Sequence, residues 1–241
     1  SYPGTGSTGD GYKIARELGH TITPLRPSLV PLECEEDWPS LVNGLSLKNV
    51  NLSVFHEDKL VASEFGEMLF TNFGVSGPIV LTISEKVSLI LQNSISPVKL
   101  SINLKPALTY EELDARLQRD FELFANRQFK NALDRLLPQS FIPVFIRLSK
   151  IPDDKKVNQI TKEERRRLVA LLQGIPLTVK RTRPLREAIV TAGGVSTREI
   201  DPKTMESRLI RGLFFAGEVI DVHGNTGGYN LQAAFSTGYL A

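Results

Sequence analysis

Between residues 109 and 174 the hydrophobic side chains recur at helical spacing, and on both sides of that stretch they recur at every second position. Side chains alternate faces along a strand but return only every ~3.6 residues along a helix. The chain is therefore expected to fold as a β region interrupted by a helical one. The period of two spans roughly residues 25–106. It is clearest in Val98, Leu100, Ile102 and Leu104, and recurs in Leu45 and Leu47, then in Val50, Leu52 and Val54. The change of phase between Leu47 and Val50 predicts a bulge. His56-Glu57-Asp58-Lys59 predicts a polar turn joining residues 52–55 to residues 60–65 as a hairpin. Several short strands in this span predict a barrel or a sandwich.

The helical stretch opens on a capping box, Thr109 with Glu112, followed by a stripe of Leu113, Leu117, Phe121 and Phe124. Phe129, Leu133, Leu136 and Leu137 predict a second helix ended by Pro138, and Val144, Phe145 and Leu148 a third. Thr161 with Glu164 caps a fourth carrying Leu168, Leu171 and Leu172. Together these make a small helical bundle. Gly174 and Pro176 stop it, and the strand-like pattern resumes at Leu177 and Val179 and again over residues 188–190, which makes the bundle an insertion. Near the start, Tyr12, Ala15 and Leu18 share one face of a helix over residues 9–18, with Gly19 placed as its C-terminal cap.

The 241 residues are 41% hydrophobic and 23% charged, with 29 Lys+Arg against 27 Asp+Glu, a net charge of +2. The mean hydropathy is −0.10. This is the balance of a globular chain, and it excludes a strong overall field toward nucleic acid or anionic lipid. No apolar run approaches the ~20 residues that span a bilayer, so no membrane partner is expected. A single cysteine, Cys34, fits a reducing cytoplasm. Flanked by Glu33, Glu35 and Glu36, its thiol is expected to be unreactive. The chain opens at Ser1 in a loop-like stretch and ends within a helical pattern, so a piece of a longer protein is expected.

Gly4-Thr5-Gly6-Ser7-Thr8-Gly9 matches G-x-G-x-x-G, yet no strand precedes it and no acidic residue follows at ribose spacing, so it reads as a loop. More informative is Leu213-Phe214-Phe215-Ala216, the apolar run of a buried parallel strand. Gly217-Glu218 would stand at its carboxyl end, where α/β sheets bind ligands. Gly224-Asn225-Thr226-Gly227-Gly228-Tyr229-Asn230 then leads into a helix whose first N–H groups are free to meet an anion or a carbonyl oxygen. An ordinary strand-to-helix turn has the same pattern.

Residues 212–221 followed by Thr226-Gly227-Gly228-Tyr229-Asn230-Leu231-Gln232-Ala233-Ala234 resemble the C-terminal FAD signature of the BaiN-type bacterial NAD(P)/FAD-dependent oxidoreductases. Thr191-Ala192-Gly193-Gly194-Val195, residues 201–207 and residues 6–12 match in the same order, so the resemblance covers nearly the whole chain. It implies an α+β and α/β multidomain protein: the C-terminal part of a Rossmann-like FAD-binding domain carrying an insert of an antiparallel β-barrel and a small helical bundle. On that plan residues 1–24 belong to the FAD domain, 25–108 to the barrel insert, 109–174 to the bundle, 175–196 to returning strands and 197–241 to the FAD domain again. The family's N-terminal pyrophosphate-binding turn would precede Ser1. The resemblance implies FAD contacts from Gly217, Glu218, Gly227, Gly228, Tyr229, Asn230 and Leu231. It implies a flavin-facing or substrate-facing position for Pro3, Thr5, Ser7, Thr191, Ala192, Gly193, Gly194 and Val195.

The resemblance implies flavin-mediated hydride transfer to an acceptor from either NAD(P)H or a small organic substrate, a small-molecule substrate as partner, and no metal. Of the three histidines, His20 and His56 read as solvated residues, and His223, inside the signature loop, is a candidate for proton transfer. The basic runs 162–167 and 180–186 read as a solvated helix face and as a weak phosphate site without an aromatic platform, so nucleic acid is not expected. A chain without flavin acting as a binding module is the rival reading. Substrate and oligomeric state are not fixed by the sequence.

Overall fold

The computed structural model describes residues 6–241. Helix α1 (Asp10–Glu17) precedes β1 (Ile22–Ser28), β2 (Leu32–Cys34), β3 (Ser46–His56), β4 (Lys59–Thr71) and β5 (Gly74–Ser76). Then come α2 (Pro78–Asn93), β6 (Val98–Asn103), the helices α3 (Tyr110–Leu123), α4 (Phe129–Ala132), α5 (Ile142–Ser149) and α6 (Lys162–Gln173), β7 (Ile175–Thr182), β8 (Val190–Val195) and α7 (Tyr229–Leu240). The contacts group into two compact units. One holds Glu33–Ile79 and Ser96–Lys180, the other the residues up to Leu32 with Val80–Ile95 and Arg181–Ala241.

In the first unit six strands close into a barrel in the order β2-β5-β4-β3-β6-β7. Alternation fills its interior: Leu52, Val54, Met68, Phe70, Leu100, Ile102 and Leu177 are all buried. The β3–β4 hairpin turns at Glu57 and Asp58, both with positive φ, the backbone of a type I′ turn whose twist suits two strands. The register slips between Leu47 and Val50, where Asn49 takes a φ of 55°, so the phase change in the sequence is a bulge. Strands β6 and β7 are paired neighbours although α3 to α6 lie between them in the chain.

Both capping boxes form. The Thr109 hydroxyl accepts from Glu112 N at 3.2 Å while Glu112 accepts from Thr109 N at 2.8 Å, and Thr161 with Glu164 repeats the pair at the same distances. Helices α3 and α6 are tied by Arg165 on Asp114, at 2.7 and 3.2 Å. That guanidinium holds the Asp114 carboxyl below the usual range. Trp38, Phe70 and Phe141 form an aromatic cluster with ring centroids 5.3 to 6.0 Å apart. The second expected helix is only α4. Its Phe129 and Lys130 N–H groups bond to Lys155 and Asp153 carbonyls, and residues 133–137 close in turns. Residues 78–93, expected within the β region, are helix α2. Val80, Ile83 and Val87, buried at helical spacing, share a continuous apolar run that hides the period.

In the second unit β1 and β8 pair antiparallel, Ile22 opposite Val195. Helix α1 ends as its sequence predicts: Gly19 N–H bonds to Arg16 O and His20 N–H to Ala15 O, a Schellman motif with Gly19 at a φ of 90°. Ala15, Val195, Ile200, Met205, Phe215 and Ile220 form the core here. The expected parallel strand over residues 213–216 does not form. Ser207 N–H bonds to Leu213 O and Phe215 N–H to Met205 O, so the run is held by the preceding turn, Phe214 stays exposed, and the parallel contact is the single bridge of Val195 with Ile220. His20 is not solvated either. Its side chain is fully buried, with Nδ1 at 3.2 Å from Glu199 Oε2 and Nε2 at 2.9 Å from Ser207 Oγ, and its ring meets Phe215 edge-on. His56 is also mostly covered, with Nδ1 buried.

Candidate functional site

The segment from Gly217 to Asn230 is shaped by hydrogen bonds reaching it from elements far away in the chain. Gly217, at a φ of 73°, donates its N–H to Thr237 Oγ1 of α7 at 2.9 Å. Tyr12 of α1 donates its hydroxyl to the Glu218 carbonyl at 3.1 Å, and Asp221 N–H bonds to Val195 O of β8. The next stretch rests on α2. His223 Nε2 lies 2.6 Å from Glu85 Oε1, and the Thr226 and Thr82 hydroxyls are 3.2 Å apart.

Asn230 then closes the loop on itself. Its Oδ1 accepts from Gly224 N and its Nδ2 donates to Gly224 O, both at 2.8 Å. The loop is thereby fixed one turn ahead of α7, whose leading N–H groups have no partner within the helix. Gly228 caps that helix in the left-handed conformation, φ 88°. A Cβ added there would meet no atom within 4 Å.

These residues wall a cleft of about 570 Å³. Leu29, Ile189, Val190, Leu231 and Ala234 give it an apolar side, and Glu218, Asn225, Thr226, Gly227, Gly228 and Asn230 a polar one. A volume in this range and a mostly apolar wall with a few polar groups are what small-ligand sites have. Of the seven residues assigned to the cofactor from sequence, Glu218, Gly227, Gly228, Asn230 and Leu231 share this cleft. Gly217 supports it through Thr237, and Tyr229 is exposed, with its ring beside Gly227.

The residues assigned to the flavin face or substrate lie elsewhere. Ser7 lines a separate cavity of about 270 Å³ with Gly6, residues 8–12 and Val219, and Pro3 and Thr5 fall outside the described residues. Thr191, Ala192, Gly193, Gly194 and Val195 are all buried in β8, where the two glycines accommodate crossing backbone. A Cβ on Gly193 would stand 2.3 Å from Pro24 O and one on Gly194 2.6 Å from Val219 O. Glu85 and Thr82 were missed by sequence, because they sit 138 and 144 residues from their partners in a stretch read as strand.

The Cys34 thiol is pushed up to about 12 by burial, with the Glu36 charge adding to it. It is unreactive mainly because it is buried, with Glu36 the one acidic neighbour contributing. Among the described residues no group of three or more His, Cys, Asp or Glu is placed to hold a metal, and no helix is long and apolar enough to cross a membrane.

Residues 26–190 match the model of a family described as HI0933-like protein barrel and H2TH domain. The chain is 36% identical over 240 residues to a ribosomal RNA dihydrouridine synthase of Haemophilus influenzae, covering 99% of this chain and 56% of that protein. It is 34% identical over 247 residues to the protein of the same name from Escherichia coli, with coverages of 99% and 56%. It is 31% identical over 236 residues to a 3-dehydro-bile acid delta(4,6)-reductase of Clostridium scindens, with 98% and 57%. The chain thus spans little more than half the length of these relatives.

Proposed function

The chain belongs to the HI0933-like family, and from that membership we propose that it is the C-terminal portion of a BaiN-type FAD-dependent oxidoreductase. The proposal reads residues 1–24 and 197–241 as part of a Rossmann-like FAD domain and residues 25–196 as its barrel and bundle insert, working in the cytoplasm with a reduced nicotinamide as donor. The names of the relatives suggest the reaction class. A 4,6-diene conjugated with a 3-ketone and the C5–C6 double bond of uracil beside its C4 carbonyl share one feature, a carbon–carbon double bond conjugated with a carbonyl. The proposed reaction is addition of hydride and proton across such a carbon–carbon double bond.

The observation carrying the cofactor is the cleft at the start of α7. It offers an apolar wall for a flat ring system, a polar edge, and at Gly228 open space that any side chain would fill. The residues present therefore fit a flavin. FAD, when bound, would supply the hydride. The protein's part is to bind and orient. The loop held by Asn230 presents the N–H groups of residues 228–231, whose helix dipole favours negative charge at that edge, and Leu231 and Ala234 would give a bound ring an apolar contact. His223, kept in place by Glu85, is the candidate proton carrier in this reading.

The test is the visible absorption of this chain, and of one extended at its N-terminus to the length of the relatives, after adding FAD and desalting. Flavin retained by the extended chain is expected. Loss of colour from both would overturn the reading in favour of a binding module without flavin.

A further inference from the structure

In each of the two basic runs visible in the sequence one arginine is held by a carboxylate, and Lys155, ahead of the first run, is held in the same way. Arg165 is spent on Asp114 and Lys155 on Glu164, and Arg183 grips Glu187 with two bonds of 2.7 Å. A different set of cations, scattered along the chain, converges instead. The guanidinium carbons of Arg127 and Arg135 stand 4.5 and 5.3 Å from the centroid of the Phe124 ring. Arg116, on α3, donates to the Arg135 carbonyl at 3.4 Å. Lys105 lies close enough for the Arg116 charge to add to burial in lowering its pKa. The carboxylate in contact with this group is Asp120, 3.8 Å from Arg116. Arg127 and Arg135 are exposed and make no ion pair among the described residues.

A guanidinium stacked on an aromatic ring is held by its flat face and keeps its edge donors pointing outward. Phe124 is itself buried, so the ring is a fixed support. Like charges gathered on one face repel one another, and an anion that bridges them removes that cost. A chain of phosphates can touch several of these side chains at once, and each contact releases counterions.

We propose that the face formed by Arg116, Arg127 and Arg135 around Phe124 docks the ribose-phosphate backbone of an RNA. The choice of RNA among polyanions rests on the reductase reading, in which a uracil ring is one of two substrate chemistries. The cluster would then favour that polymer over a free steroid. It fixes position without reading bases, since phosphate contacts carry no sequence information.

The experiment is fluorescence anisotropy of a labelled RNA stem-loop with the full chain across a series of KCl concentrations. Arg127→Gln/Arg135→Gln, which keeps side chains over Phe124, is expected to weaken binding and to lower the slope of log affinity against log salt by about 2, one unit per lost phosphate contact. Lys162→Ala/Arg167→Ala removes the same charge from α6 and is expected to leave that slope near wild type. If melting shows that the first double variant misfolds, Arg135→Gln alone should lower the slope by about 1.

No RNA binding by the wild-type chain, equal slopes in the two double variants, or capture by phosphatidylserine vesicles through the same arginines in place of RNA would each overturn the proposal. A parallel FAD titration separates the two readings. An N-terminally extended chain that holds RNA but not FAD sinks the flavin, and one that holds FAD but not RNA sinks the docking face.

Discussion

The glycine pair of β8 and the glycine pair before α7 look alike in sequence and have opposite surroundings. Gly193 and Gly194 are buried with φ of 93° and 141°, and backbone from Pro24 and Val219 fills the space a Cβ would need. Gly227 and Gly228 share positive φ, but in front of Gly227 lies only the Tyr229 ring and in front of Gly228 nothing. The first pair is fully accounted for by packing of the chain on itself. The second leaves room that the described residues do not use, and the cleft is there. A glycine-rich motif is therefore a pointer to a ligand only where the space beside it stays empty.

The largest expected effect tests the packed side of that contrast. Gly193→Ala places a methyl into the Pro24 carbonyl and adds left-handed strain, so stability should fall by about 3–5 kcal/mol. Urea unfolding measures it, and a loss below about 1 kcal/mol would mean β8 can shift away from β1 and the packing account fails.

The buried His20 beside the same strand is next. His20→Ala removes a ring bonded to Glu199 and Ser207, for an expected loss of about 2–3 kcal/mol. The Glu199 carboxyl, held below its ordinary range by hydrogen bonds from Thr21 and by His20, gives this region an acid limit. A depressed folded pKa contributes stability that is complete above about pH 4.5 and is lost as pH falls through the folded value. Glu199→Gln should therefore flatten the acid limb of a stability–pH curve. Parallel limbs in Glu199→Gln and wild type would remove the assignment.

The open side predicts the reverse division of effects. Gly228→Ala meets no atom and pays only for its backbone conformation, about 1–2 kcal/mol, yet its methyl would stand in the cleft. In the N-terminally extended chain, FAD affinity, followed by quenching of flavin fluorescence, should fall further than folding stability does. Equal losses in both would make Gly228 an ordinary cap.

What the sequence made legible follows the range of each interaction. The bulge at Asn49, the turn at Glu57-Asp58, both capping boxes and the Gly19 cap are set by residues within a few positions, and each is readable as a local pattern. Helix α2 was hidden because Ile79, Val80, Ile83 and Val87 suit a strand as well as a buried helix. With it went Glu85 and Thr82, so half of the support for the signature loop was out of reach. The Arg127 and Arg135 pair shows the same limit from the other direction. Neither belongs to a basic run, and their meeting over Phe124 is a product of the turns that end α3 and α4. The 213–216 run misled because its apolar residues fit a parallel strand, whereas its hydrogen bonds go to the turn over residues 205–207.

The smallest expected effect bears on what holds the cleft open. Asn230 makes two good hydrogen bonds to Gly224, donor and acceptor both used, and it lies partly exposed at the start of α7. Asn230→Ala should cost only about 1 kcal/mol globally, since water can replace much of what is lost, and Tm should move little. Locally the change is larger, because nothing else described bonds the Gly224 backbone. Amide exchange at residues 224–228 should accelerate while β8 stays protected. Asn230→Asp separates the two bonds: the carboxylate still accepts from Gly224 N but can no longer donate to Gly224 O, so exchange should be intermediate. If Asn230→Ala leaves exchange in the loop unchanged, the loop is shaped by Glu85 and Thr82 instead, and α2 becomes the element that keeps the space before Gly228 open.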